Sequence, residues 1–153
     1  MASIEPVTAG WAAIGAAVAI IDPHDHVLLV RHSYGRLNWE LPGGGALPNE
    51  APDATARREL LEETGLRAAL DRLTGVYFEP GHEAGPMLHF VFAVRWSADF
   101  APAPASPEIS ELRYWPLDGL PTPISDFTER RARDAASATA AGVSLIATRI
   151  WRE

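Results

Sequence analysis

The sequence predicts a fold that mixes helices and strands, of the α/β or α+β class. Three observations lead there. Short runs of Val, Ile, Leu and aromatic residues recur between turn residues, as strands do. One segment carries a helix start and a helix stop signal, and a second has helical spacing near the C-terminal end. Strand-like and helix-like segments alternate along the chain, which is the pattern of layered mixed folds.

Trp11–Ile21 is rich in Ala, Val and Ile. Its Ala content leaves a helix open, but Gly10, Gly15 and the following Asp22-Pro23 favour a strand that ends in a turn. His26–His32 reads as the next strand, with Asp22–Asp25 as a hairpin turn between them. Trp39–Leu41 is a short strand running into Pro42-Gly43-Gly44-Gly45, where the backbone can approach another group closely. Pro52–Thr64 is the clearest helix. Pro52 suits the first helical position, Asp53 complements the N-terminal dipole, and Gly65 suits the position just past the end. The cap position holds Ala51, a poor N-cap. Leu73–Phe78 and Met87–Trp96 read as strands, the second buried on at least one face. Phe100–Pro107 is a Pro/Ala loop, Glu111–Trp115 a strand, Ile124–Ala141 a second helix, and Val143–Trp151 a last strand or extension.

The chain has 153 residues, a length that fits one domain over residues 1–153. Apolar residues make up 47% and charged residues 22%, which excludes a disordered or collagenous chain. Cysteine is absent, so disulfides, thiolate nucleophiles and Cys-based zinc sites are excluded. Thirteen basic residues, all Arg, against 20 acidic ones give a net charge of −7, which argues against a nucleic-acid polymer as partner. The apolar stretch Trp11–Ile21 is shorter than the roughly 20 residues a membrane span takes, and Met1–Gly10 lacks the positive region of a secretory signal. The expectation is a cytoplasmic protein with no membrane partner.

Within the Pro52–Thr64 helix, Glu59, Glu62 and Glu63 fall inside an arc of roughly 100°. Glu59 and Glu62 are i,i+3, and Glu59 and Glu63 are i,i+4. Like charges so placed destabilise a helix, and the C-terminal end of the dipole disfavours anions. Arg58 relieves Glu62 at i,i+4. Three close carboxylates otherwise call for a cation, and oxygen donors without His or Cys favour a hard ion such as Mg²⁺ or Mn²⁺. A solvated acidic face is the alternative for three such residues alone.

The surrounding pattern decides between the two. Gly44 is followed by five residues and Glu50; seven residues later come Arg58-Glu59, then Leu60, Leu61, Glu62-Glu63, Thr64, Gly65 and Leu66. Trp39-Glu40-Leu41-Pro42-Gly43 leads in. This run resembles the box of the Nudix hydrolase family at every specified position, over 23 of 153 residues. The resemblance implies an α/β/α sandwich around a mixed β-sheet. It implies a metal-dependent hydrolase that cleaves the diphosphate linkage of a nucleoside diphosphate joined to another moiety, such as a nucleoside triphosphate, a nucleotide sugar or ADP-ribose. It implies Glu59, Glu62 and Glu63 as metal ligands, one of them a candidate also to orient or deprotonate the water, with Glu59, Glu62 and Arg58 as catalytic candidates, the Gly44 carbonyl contributing a ligand, and Mg²⁺ or Mn²⁺ as the ion. Arg58 and Glu50 would pair to hold the helix and the loop.

Further expectations follow from the same resemblance. A Glu ahead of a later strand often serves as an extra ligand or base, and Glu108 fits that place, with Glu111 next. Two positions depart from the usual pattern: Leu47 where many members carry Glu, and Ala51 where many carry Ser. Arg31, Tyr34 and His89 are candidates to touch the substrate, with Arg36 and His82 behind them. Trp11 and Phe90 read as core residues, and the charged run Phe127–Asp134 reads as a solvated helix face. Pro80 is too weak a signal to assign an ADP-ribose enzyme. A homodimer is the expectation for assembly. The alternative function is a catalytically silent nucleotide-binding sensor on the same scaffold, which a degraded motif would mark. An isoprenoid diphosphate isomerase of this fold needs a Cys that the chain lacks.

Overall fold

A computed structural model describes residues 10–83, 85–137 and 141–153. Its elements run β1 (Ala13–Ile21), β2 (His26–His32), β3 (Trp39–Glu40), β4 (Gly43–Gly45), α1 (Pro52–Thr64), β5 (Leu70–Glu79), β6 (Met87–Arg95), β7 (Ile109–Pro116), β8 (Ile124–Ser125), α2 (Asp126–Ala136), β9 (Val143–Leu145) and β10 (Trp151–Arg152). Among the described residues no helix is long and apolar enough to cross a membrane.

β1 is the spine of a mixed sheet. It pairs in parallel with β6 from Ala13↔Met87 to Ile21↔Arg95. Along its other edge it meets β2 at Ile21↔Val27 and β4 at Gly15↔Gly45, both antiparallel. β5 then pairs with β6, and β9 with β5, while β3 and β7 flank β2. β8 and β10 form a small separate ribbon.

Alternation along β1 builds two cores. Ala17 and Ala19 point to one face, with Phe127, Ala132 and Ala135 of α2. Ala16, Val18 and Ile20 point to the other, with Ala56 and Leu60 of α1. A strand covered on both faces reads as a continuous apolar run, which is what Trp11–Ile21 shows. The architecture is therefore an α/β/α sandwich. A fully buried side chain such as Leu60 contributes about 2 kcal/mol to it.

Several boundaries differ from the sequence expectation. Trp39–Leu41 and the glycine run are two strands, broken at Leu41-Pro42 because Pro cannot donate to a ladder. β5 begins three residues earlier than Leu73 and carries register shifts near Arg72 and Gly75. The second helix starts at Asp126, because Ile124 and Ser125 pair with β10 and Ser125 caps the helix by accepting from Thr128 N–H. It ends at Ala136; residues 138–140 of the expected helix, like the Met1–Ala9 segment, lie outside the described residues. The last expected strand is two short ones, β9 and β10. Phe90 packs against the α1-side core as expected, whereas Trp11 is 69% exposed.

Candidate active site

α1 forms over the residues its signals mark. Ala51 has extended geometry and makes no side-chain cap, while Gly65 closes the helix at φ 73° with its N–H on Leu61 O. Two C-terminal carbonyls are covered from an unexpected direction. Ala105 N–H donates to Glu63 O and Ala103 N–H to Thr64 O, so the Pro/Ala loop docks on the helix end. That docking carries the loop on to Glu108, whose carbonyl accepts from Ser33 N–H at 2.8 Å.

Arg58 organises the acidic edge. Its Nε and Nη2 grip Glu50 in two bonds of 2.9 Å, and Nη2 also donates to Gly45 O at 3.0 Å. Nη1 reaches Glu59 at 2.8 Å and Glu62 at 3.1 Å. Glu50 also accepts from Thr55 Oγ1 at 2.7 Å and from Leu47 N–H at 3.2 Å. The bonds from Arg58 first, then Thr55, hold the Glu50 carboxyl down at about 2. The Arg58 guanidinium is pushed up in turn, chiefly by Glu50. The expected pairing of Arg58 with Glu50 is thus present, and it ties loop to helix.

Glu63 points the other way. It is 5% exposed, and its Oε2 accepts from Gly43 N–H at 3.1 Å. Burial pushes its carboxyl up to about 8, with Glu59, Glu40 and Glu108 adding repulsion and the Gly43 N–H opposing. Burial also raises Glu59, against Arg58, with Glu62 and Glu108 repelling it. Glu108 is therefore close enough to act on both helix carboxylates. Glu111 instead pairs with Arg31 at 3.8 Å.

Whether these residues fit a divalent cation can be judged from their chemistry. All the side-chain donors are carboxylates, two of them held above their ordinary range by burial and by mutual repulsion. Gly44 lies against Glu59 so closely that a Cβ there would come within 2.5 Å of Oε1, and only glycine lets that backbone meet the carboxylate. A hard, oxygen-binding cation suits this set. Among the described residues, no three acidic or His side chains are already closed into a cage. Arg58 draws Glu59 and Glu62 together, while the Gly43 N–H holds Glu63.

Across β4 from α1 lies a cavity of about 800 Å³. Gly15–Ala17 line it together with Gly43–Glu50, Tyr34, His82, His89, Glu40, Arg131 and Arg149. Of the candidate substrate residues, Tyr34 and His89 line this space. Arg31 does not: its Nε donates to Leu37 O at 3.0 Å, and its head pairs with Glu111. Arg36 is likewise engaged, on Glu153 and over the Trp151 ring. Tyr34 stacks on His32 at the cavity wall, where burial raises its hydroxyl and Glu108, Glu63, Glu40 and Glu59 add to the shift.

Two cavity-lining arginines were not anticipated. The run Phe127–Asp134 reads as a solvated face, yet Arg131 is 4% exposed. It pairs with Glu40, which Thr128 Oγ1 also holds at 2.8 Å. The mixed charges of that run conceal it, but i,i+4 spacing from Phe127 places Arg131 on the inward stripe. Arg149 donates two hydrogen bonds to Glu79, at 2.7 and 2.8 Å, and nothing in its local sequence signals that pairing.

The comparisons with known proteins agree with this geometry. The NUDIX domain model matches residues 11–135. A Bacillus subtilis (strain 168) protein named "Putative 8-oxo-dGTP diphosphatase" is 41% identical over 76 residues, covering 50% of each chain. The Mus musculus diphosphoinositol polyphosphate phosphohydrolase 3-alpha is 49% identical over 53 residues, covering 35% of this chain and 32% of its own. The chain thus spans half or less of the length of these relatives. The crystal structure of a NUDIX hydrolase from Nitrosomonas europaea superposes with a TM-score of 0.72 at 21% identity, covering 94% of this chain and 83% of that one. With the sandwich, the intact box and a family match over most of the described residues, this chain belongs to the NUDIX family.

Proposed function

We propose that the chain is a NUDIX domain that hydrolyses the diphosphate linkage of a nucleoside diphosphate joined to another group, with Mg²⁺ or Mn²⁺ as cofactor. One observation carries this reading. Arg58 ties Glu50 of the loop to Glu59 and Glu62 on one edge of α1, the Gly43 N–H holds Glu63, and Gly44 lies against Glu59, so the carboxylates of the box sit against the glycine run that lines the cavity. The two curated relatives are named for hydrolysis at diphosphate groups, on different carriers.

Glu59, Glu62 and Glu63, with the Gly44 carbonyl, would hold the ion. When bound, it supplies charge neutralisation at the phosphate oxygens and acidifies water. Arg58 positions Glu59 and Glu62 through its grip on Glu50 and Gly45. Glu108 is our choice to accept the proton of the attacking water, because it acts on both Glu59 and Glu63 from a separate element. Tyr34 and His89 would contact the substrate from the cavity, and Arg31, held by Glu111 and Leu37, is left out. The partner is a small nucleotide, in line with the net charge of −7. A cytoplasmic location and a homodimer complete the reading.

The test is a panel of nucleoside triphosphates, nucleotide sugars and ADP-ribose, with and without Mg²⁺. Turnover is expected only with the metal, and Glu62→Gln or Glu63→Gln should lower it at least about 100-fold. A nucleotide that binds and survives would turn the reading toward a silent sensor. Unchanged turnover in both variants would overturn it.

A further inference from the structure

The Pro/Ala loop, residues 100–107, delivers Glu108, and its sequence explains how it docks. Pro102 and Pro104 carry no backbone N–H, so the donors of the alternating run 102–105 are those of Ala103 and Ala105. Both are used on the C-terminal end of α1. Ala103 N–H donates to Thr64 O and Ala105 N–H to Glu63 O, each at 3.1 Å. The prolines also hold their own φ within a narrow range, which lowers the freedom the loop must lose to dock. One end of the loop is thus fastened to the backbone of Glu63, a carboxylate residue of the box.

The other end is fastened to the end of β2. Ser33 N–H donates to Glu108 O at 2.8 Å, and Ser33 Oγ donates to Pro107 O at 2.6 Å. Ser106 tightens the turn between, its Oγ accepting from Glu108 N–H at 3.2 Å and its carbonyl from Ile109 N–H at 3.1 Å. A β-bulge sets which residue meets Ser33. Arg31 pairs with Glu111 and His32 with Ile109, so Ser110 is an extra residue in β7. In a regular antiparallel ladder Ser33 would face Ile109. With the bulge it meets Glu108, and Ile109 is buried while Glu108 stays exposed. Bulges beside active sites re-aim side chains in this way.

The Glu108 carboxylate itself is held by no hydrogen bond or ion pair among the described residues. Its place is therefore set by its backbone. A proton acceptor has to lie within hydrogen-bond reach of its water, and a displacement of about 1 Å can cost about 100-fold in rate. Of the side chains that bond the backbone of residues 106–109, Ser106 belongs to the loop and Ser33 comes from another element. Ser33 is exposed and lines no part of the cavity, whereas its neighbours His32 and Tyr34 do. Its hydroxyl thus faces the loop and not the space where a substrate would sit.

We propose that the Pro/Ala loop is an arm that sets Glu108 against α1, and that Ser33 is the positioning residue that locks its far end. This rests on the hydrolase reading above and on Glu108 as the acceptor of the water proton. It goes beyond that reading in giving the loop and Ser33 a part in the reaction, exerted through Glu108 alone.

Two measurements test it. The first is a double-mutant cycle on turnover with Mg²⁺. Ser33→Ala removes the bond to Pro107 O and should lower kcat about 5-fold, the worth of one hydrogen bond, with KM within about 2-fold. Ser33→Thr keeps the hydroxyl and should recover most of that loss. Glu108→Gln should lower kcat about 100-fold or more. Adding Ser33→Ala to Glu108→Gln should then cost nothing further, because no proton acceptor is left to misplace. The second measurement needs neither metal nor substrate. Amide hydrogen exchange at Glu108 and Ile109 should quicken about 5-fold in Ser33→Ala, while the amides of Ala103 and Ala105 on α1 keep their rates. The same loss in both backgrounds would show a structural role only and overturn the proposal, as would unchanged exchange at Glu108. If Glu62→Gln and Glu63→Gln abolish turnover but Glu108→Gln does not lower it, the hydrolase reading stands and this one falls. Absence of turnover by the unaltered chain on the whole substrate panel would sink that reading and this one with it.

Discussion

His89 illustrates what burial does to a single titratable group. It lies between Glu79, Phe127 and His82, with two guanidiniums nearby. Its imidazole is down at about 4, against an ordinary value near 6.5, because burial disfavours the cation more than Glu79 favours it. Between those two values the unfolded chain holds the proton that the folded chain refuses. Folding stability at this residue is therefore full above about pH 6.5 and falls as the pH drops toward 4, by about 3 kcal/mol in all. Glu63 titrates in the opposite sense, since its raised carboxyl keeps its proton in the fold. The net curve of the protein mixes the two, so the informative quantity is a difference. Denaturant midpoints of the protein and of His89→Gln, measured from pH 7.5 to 4, should converge with acidification as the native histidine loses its advantage. Parallel curves would remove the argument.

At the scale of elements, α1 and α2 show what a sequence can and cannot say. The limits of α1 are readable because its signals are local: Pro52 at the start, Gly65 at the end, and a spacing that puts Glu59, Glu62 and Glu63 on one edge. The pairing of Arg58 with Glu50 is readable from the motif, and Glu108 from its distance to the following strand. The role of the Pro/Ala loop is not, because its N–H groups meet the end of α1 only in three dimensions. Arg131 is hidden for a related reason. Its neighbours Arg130 and Arg133 are exposed, and although the i,i+4 spacing from Phe127 turns Arg131 inward, nothing local reveals its partner Glu40, 91 residues away. Helix α1 also carries a correctable defect. Ala51 offers no side-chain cap, and the Asp53 carboxylate, bonded first by Arg57, supports the first turn only in part. Ala51→Ser should raise stability by about 0.5 kcal/mol, somewhat under the usual cap value because Asp53 already helps. Ala51 is exposed and lines no part of the cavity, so a thermal melt should register the gain while turnover stays the same. A loss of stability would mean that the extended geometry of Ala51 does not admit the cap.

For the molecule as a whole, the sandwich places its two kinds of ionised side chain on opposite sides of β1. The α2 face buries acid–base pairs that balance, Glu40 with Arg131 and Glu79 with Arg149. The α1 face collects carboxylates in excess, with Arg58 alone spread over Glu50, Glu59 and Glu62. Within a chain of net charge −7, that face carries a folding penalty which the unfolded chain escapes by separating the same side chains. A cation held by the folded arrangement and not by the open chain must then stabilise the fold by mass action. At about 100 times its dissociation constant, Mg²⁺ should add about 2.7 kcal/mol, or roughly 5–10 °C in Tm for a domain of this size. General screening by salt would also help, so the control is NaCl at the same ionic strength, which should give a much smaller rise. Glu62→Gln and Glu63→Gln should raise Tm in the absence of metal, the first by relieving repulsion and the second chiefly by removing the cost of burying an ionisable carboxyl, and both should blunt the response when Mg²⁺ is added. Those two effects have opposite signs. If NaCl matches Mg²⁺, or if the variants respond to Mg²⁺ as fully as the unaltered chain, the acidic edge of α1 is a solvated surface and not a cation site.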